Sequence, residues 1–112
     1  MSGAAILPGL SADGSWQLPD RLNMAAQALG TRTDRVAIID LSDGLRREVT
    51  YGQLSDMADR VAGALLARGV GTGDRVGVLR SQGAWCAAAH LAVWKIGAIS
   101  VPLFKLFKHD AL

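Results

Sequence analysis

The sequence predicts an α/β fold with a mainly parallel sheet. Three observations carry that expectation. Short apolar runs of strand length occur at 36–40 (VAIID), 75–80 (RVGVLR) and 98–101 (AISV). Two helical segments separate the later strands, the first closing at Gly69 and the second at Gly97. The order from residue 47 onward is therefore strand, helix, strand, helix, strand. Continuously apolar strands joined through helices are those of right-handed crossovers in a parallel sheet.

Taken in order, residues 1–21 carry Pro8, Gly9, Gly14 and Pro19 with no sustained period. They read as a leader, partly ordered at best. Residues 22–112 are expected to form one incomplete α/β subdomain. Within it, residues 23–29 (NMAAQAL) make a short helix that stops at Gly30. The strand at 36–40 is followed by the turn Ser42-Asp43-Gly44 and a second strand at 47–49, a spacing that predicts a hairpin. Thr50 then starts a helix as its N-cap, and Gln53 completes a capping box. Leu54, Met57, Ala58, Val61, Ala62 and Leu65 recur at helical spacing and define one apolar face. Gly69 is placed as the left-handed residue beyond the last turn. The helix at 84–96 is apolar nearly all round, which suits an element buried on most sides. The last strand is expected to end at Pro102.

Composition narrows the function. Of 112 residues, 50% are apolar and 20% charged, the balance of a folded domain. The net charge is +2, and the cations are interleaved with acids, as in Asp34-Arg35, Asp59-Arg60 and Asp74-Arg75. No basic stripe exists to neutralise a row of phosphates, so nucleic acid is excluded as a partner. Cys86 is the single cysteine, which rules out an intrachain disulfide. The most apolar window, residues 84–101, is interrupted by His90 and Lys95. A spanning helix needs about 20 apolar residues largely free of charge, so the window reads as protein interior. The start of the chain lacks the basic and apolar regions of a secretory signal, and a cytoplasmic protein is expected.

The stretch RGVGTGDRVGV, residues 68–78, invites comparison with phosphate-binding glycine loops. In those loops a strand leads through glycines into a helix, whose free N–H groups and positive dipole meet the phosphate. Here a helix leads through the glycines into a strand. The loop therefore faces the carbonyl end of a helix, and Val76 stands where the fingerprint requires glycine. Gly69 stops the helix, and Gly71 and Gly73 make a turn. A P-loop is also absent, since no Gly-Lys-Ser/Thr occurs.

Other candidates are equally bland. His90 has no carboxylate or second ligand three or four residues away, and reads as a histidine with a local hydrogen-bond partner. Cys86, one turn before it, reads as a small buried hydrophobe. Trp85 and Trp94, nine apart, are read as lying on similar helix faces, available for packing or for stacking on a ligand. Lys105, Lys108 and His109 form a small basic cluster read as a solvated face. No catalytic, cofactor-binding or metal-binding residue is assigned. The apolar helix at 84–96 and the run VPLFKLF, with Val101, Leu103, Phe104, Leu106 and Phe107, suggest the beginning of something longer.

Three segments in order carry a family resemblance: Thr50-Tyr51 with the leucine-bearing helix, the Gly-Val-Gly-x-Gly-Asp-Arg-Val turn, and Lys95 to Leu103 (KIGAISVPL). Residues 22–112 resemble the start of the AMP-forming acyl-CoA synthetases, members of the adenylate-forming superfamily that also holds luciferases and the adenylation domains of peptide synthetases. NMAAQAL, VPLFKLF and DAL look most like the acetate to medium-chain branch. Amino-acid-activating domains usually have VPLDP-like residues at the same place. Lys108-His109 departs from that branch, which commonly has Gly-Pro, so Asp110 must help start the following helix by its charge. Lys105 replaces a small polar residue. The resemblance implies a two-step reaction: a carboxylate and Mg-ATP give an acyl adenylate and pyrophosphate, and coenzyme A then displaces AMP. It also implies that the phosphate loop, the nucleotide contacts and the catalytic lysine lie outside this segment, which supplies scaffold and awaits the remainder of the synthetase. Two other readings are a non-catalytic interaction module on the same scaffold and the start of an amino-acid-activating domain.

Overall fold

In the computed structural model, residues 9–31 and 33–104 are described. The chain opens on a small antiparallel hairpin, β1 (Gly9–Leu10) and β2 (Trp16–Gln17). The sequence reading had no element here. Asp13 closes the turn, accepting from the backbone N–H of Ser15 at 3.0 Å and from the hydroxyls of Ser11 and Ser15 at 2.6 and 2.7 Å. Both strands are exposed, so side-chain bonds in the turn define this hairpin without a buried face.

Helix α1 (Met24–Leu29) begins one residue later than expected, because Asn23 is its cap and not its first turn. Asn23 Oδ1 accepts from the Ala26 N–H at 3.0 Å. Strands β3 (Val36–Asp40) and β4 (Arg47–Thr50) form the expected antiparallel hairpin, with a register irregularity between Val36 and Ile38. Helix α2 (Tyr51–Ala67) follows directly, and both halves of its capping box are formed. The Gln53 N–H donates to Thr50 Oγ1 at 3.1 Å, and the Thr50 N–H donates to Gln53 Oε1 at 2.9 Å.

The end of α2 explains the first glycine. Gly69 has φ of 83°. Its N–H bonds the Leu66 carbonyl, and that of Val70 reaches Leu65, the paired bonds of a Schellman motif. Strand β5 (Arg75–Leu79) then leads through a turn to helix α3 (Ala84–Lys95), which ends by the same motif: Gly97 bonds Trp94 and Ala98 bonds Val93.

Strand β6 (Ile99–Leu103) pairs parallel with β5 and runs through Pro102 instead of stopping before it. Pro102 is tolerated for a geometric reason. The Ile99 N–H donates to the Asp74 carbonyl at 2.7 Å, so alternation turns the peptide groups of Val101 and Leu103 toward β5 as well. The nitrogen of Pro102 points away, and no ladder bond to β5 is lost.

The α/β class is observed. Among the described residues the parallel pairing is confined to β5–α3–β6, and the other two strand pairs are hairpins. Helix α2 thus joins two sheets, β3–β4 and β5–β6, rather than two neighbouring strands of one. The helices form the core. Ala25 and Leu29 of α1, Leu54, Ala58 and Ala62 of α2, and Ala88, Leu91 and Ala92 of α3 make one buried cluster. Alanine at the contact positions lets the helix axes approach closely. Cys86 and Val93 lie on the opposite side of α3 and are buried too, as are Val78 and Ala98. Helix α3 is therefore sandwiched between the helical layer and the β5–β6 sheet, as its all-round apolarity required.

Candidate functional site

The glycine loop is the first candidate, and the N–H groups of Gly69, Gly71 and Gly73 are already used. The Gly69 N–H bonds Leu66, the Gly71 N–H donates to Asp74 Oδ2 at 2.8 Å, and the Gly73 N–H donates to the Gly97 carbonyl at 3.0 Å. The Asp74 N–H returns to the Gly71 carbonyl at 3.1 Å. A phosphate cradle needs such amides free and convergent. Here they tie the end of α2 to the end of α3, and so set β5 beside β6. A Cβ on Gly97 would stand 3.0 Å from Thr72 Oγ1, which shows how closely the two turns pack.

The second candidate is a crevice of about 600 Å³ at the end of β5 and the start of α3. Asp40, Ser42, Arg80, Ser81, Gln82 and Trp85 are among its lining residues. A helix N-terminus attracts anions, and this one has already received one from within the chain. Gly83 occupies the N-cap position of α3 and supplies no capping side chain. Asp40 takes its place, accepting from the Ala84 N–H at 2.8 Å. The Ser42 side chain, then the backbone N–H groups of Ala84 and Ser42, hold the Asp40 carboxyl down at about 2. Sequence reasoning missed this residue. The available signal was Gly83 itself, a side-chain-free cap that obliges the helix to find an acceptor elsewhere.

Asn23 was missed in a second role. Beyond capping α1, its Nδ2 donates to the carbonyls of Trp94 and Lys95 at 3.4 and 3.3 Å. One side chain thereby closes the start of α1 and the end of α3.

The remaining candidates do not converge. His90 is half-buried, and its partner among the described residues is the Trp94 ring, with centroids 6.1 Å apart. Among the described residues no hydrogen bond accompanies this ring contact, and a half-exposed imidazole can reach solvent. Trp85 and Trp94 do not share a face. At about 100° per residue, nine residues advance two and a half turns, which places them on opposite sides. Trp85 is exposed beside the crevice, whereas Trp94 Nε1 donates to Ser100 Oγ at 2.9 Å. Cys86 is free and buried. Lys105, Lys108, His109 and Asp110 lie outside the described residues. Among the described residues no group of three His, Cys, Asp or Glu side chains could hold a metal, and no helix is long and apolar enough to cross a membrane.

Comparison with known proteins gives a consistent result. Residues 24–112 match the family model described as AMP-binding enzyme. An acetyl-coenzyme A synthetase of Novosphingobium aromaticivorans is 38% identical over 104 residues, covering 87% of this chain and 16% of that protein. Another, from Magnetococcus marinus, is 39% identical over 92 residues, covering 80% of this chain and 14% of the relative. Among solved structures, an acyl-CoA synthetase of Brucella canis superposes with a TM-score of 0.73 at 35% identity, over 80% of this chain and 17% of that one. The chain thus spans about one-sixth of the length of the proteins it matches.

Proposed function

The chain belongs to the AMP-binding enzyme family, and from that premise we propose that it is the N-terminal scaffold portion of an acyl-CoA synthetase. The full enzyme would join a carboxylic acid to coenzyme A, with ATP and magnesium, through an acyl adenylate. The acetate to medium-chain acids are the proposed substrate class, in line with the acetyl-coenzyme A synthetases that this chain is similar to. Such an enzyme draws on ATP and coenzyme A, and we assign it to the cytoplasm.

The portion described here has a positioning role. One observation carries this: the N–H groups of Gly69, Gly71 and Gly73 are bonded within the chain. The helix N-terminus at Ala84 likewise has a carboxylate of its own. These residues do not fit a nucleotide triphosphate, and no chemical step is assigned to them. Their contribution is a rigid α3 held at both ends, by Asp40 at its start and by Asn23 at its close.

The test has two arms. Pyrophosphate exchange with ATP, using acetate and medium-chain acids, should be absent for the 112-residue chain. Exchange above background would overturn the scaffold assignment. A chimera carrying this chain in place of the matched segment of the Novosphingobium enzyme should form acetyl-CoA. A chimera that folds and binds ATP but forms no adenylate would count against the synthetase reading.

A further inference from the structure

The crevice at the start of α3 holds more than the Asp40 cap. Its volume of about 600 Å³ falls within the range of small-molecule pockets, roughly 300–1,000 Å³. It opens at the carboxyl end of β5, which pairs parallel with β6, and ligands of open α/β sheets bind outside that end of the strands. Its polar groups divide into a satisfied acceptor and open donors. Asp40 is the satisfied one. Its carboxylate accepts from the backbone N–H groups of Ser42 and Ala84, each at 2.8 Å, and from the Ser42 hydroxyl. The positive end of α3 and the charge of Arg47 offset its own.

The side chains of Arg80, Gln82 and Trp85 line the same crevice and remain open. None of them forms a hydrogen bond, ion pair or ring contact among the described residues. A guanidinium has N–H donors and no acceptor, and the glutamine amide adds further donors. Arg80 is therefore an unpaired cation beside a carboxylate whose charge is already met. The adjoining wall is apolar: Trp85 is 40% exposed and Leu79 is 52% exposed.

Open donors, an unmet positive charge and an aromatic wall suit one kind of guest. We propose that the crevice is a binding site for a small aromatic anion, its charged oxygens on Arg80 and Gln82 and its ring against Trp85 and Leu79. The planar guanidinium fork matches carboxylate or sulfonate oxygens, and the indole offers a face for offset stacking. The proposal does not rest on the synthetase reading. Charge and shape define the guest, not a capacity to be activated, and no residue of this chain is assigned a chemical step.

Titration of the 112-residue chain with benzoate, benzenesulfonate, benzamide and acetate tests the site, followed by the indole N–H resonances of its tryptophans. Trp85→Phe identifies the Trp85 signal. Benzoate and benzenesulfonate should shift that signal saturably. Benzamide lacks the charge and acetate the ring, and each should bind at least about tenfold more weakly than benzoate. Arg80→Ala should weaken benzoate at least about tenfold. Arg80→Lys should restore part of the loss, since lysine keeps the charge but not the fork. Arg75→Ala, at the other end of β5, is the control and should change nothing. Arg80 and Trp85 are both exposed, so these variants should melt as the parent does. No saturable shift with either aromatic anion would overturn the site. So would benzamide equal to benzoate, or an equal effect of Arg75→Ala and Arg80→Ala. Acetate equal to benzoate would overturn the aromatic class. Binding of benzoate without benzenesulfonate would overturn the independence from acid activation.

Discussion

The Asp40 carboxylate, at the end of β3, accepts a hydrogen bond from the Ala84 N–H at 2.8 Å across 44 residues of chain. It couples the β3–β4 hairpin to the start of α3, where Gly83 leaves room: a Cβ on Gly83 would stand 3.2 Å from Asp40 Oδ2 and 3.3 Å from Ser42 Oγ.

The coupling predicts a pH dependence. Bonds from the Ser42 hydroxyl and from the Ala84 and Ser42 amides depress the Asp40 carboxyl to about 2 in the folded chain, against about 3.9 when unfolded. A group with a lowered folded pKa contributes stability that is complete above the unfolded value and is lost as pH falls through the folded one. Melting temperature should therefore fall between pH 4 and pH 2. Asp40→Asn should melt lower than the parent at pH 7 and show a shallower fall. Asp13, whose carboxyl is depressed chiefly by its bond from Ser11, is present in both proteins, so the difference between the curves isolates Asp40. Parallel curves would show that the cap contributes nothing.

Asn23 serves two helices, and two substitutions separate the roles. Asn23→Ala removes the N-cap of α1 and should cost about 1 kcal/mol. Aspartate is as good an N-cap as asparagine, yet Asn23→Asp loses the Nδ2 donor and brings negative charge to the carbonyl end of α3. The aspartate variant should therefore be less stable than the parent by urea denaturation. Equal midpoints would mean that the bonds to Trp94 and Lys95 are dispensable.

The glycines that raised the phosphate question differ sharply in what they tolerate. Gly97 has φ of 78° and packs on Thr72, so Gly97→Ala places a side chain in a left-handed conformation and against Oγ1. A loss of about 1–2 kcal/mol is expected. Gly71 has neither a positive φ nor any atom within 4 Å of its missing Cβ. Gly71→Ala should be neutral or slightly stabilising. Similar large losses at both positions in thermal melts would refute this assignment of roles.

What was legible in the sequence had local causes. Thr50-x-x-Gln53, Gly69 and Gly97 each mark a helix end by interactions within a few residues, and the 36–50 hairpin follows from its turn. The elements that escaped depend on distant partners or on weak patterns. Asp40 finds its role only when α3 is folded against the hairpin, and Asn23 only when the end of α3 lies beside α1. Pro102 could end a strand or sit within an edge strand; the register of β6 on β5 decides which. The β1–β2 hairpin has two-residue strands with no buried face, leaving no periodicity to detect.

The capping box at α2 gives the most quantitative test, because both of its bonds form between the same two residues. Thr50→Ala should cost about 1 kcal/mol, since it leaves the Gln53 N–H without its acceptor at the first turn. Gln53→Ala should cost less, as the side chain is exposed and water can take up the Thr50 N–H. Thr50 also ends β4, so part of the loss in its variant belongs to the hairpin. A double-mutant cycle removes that part and leaves the coupling between the two side chains, expected to be at least about 0.5 kcal/mol in favour of the pair. Strict additivity would mean that the two side chains act independently, and that the box adds nothing beyond two separate caps.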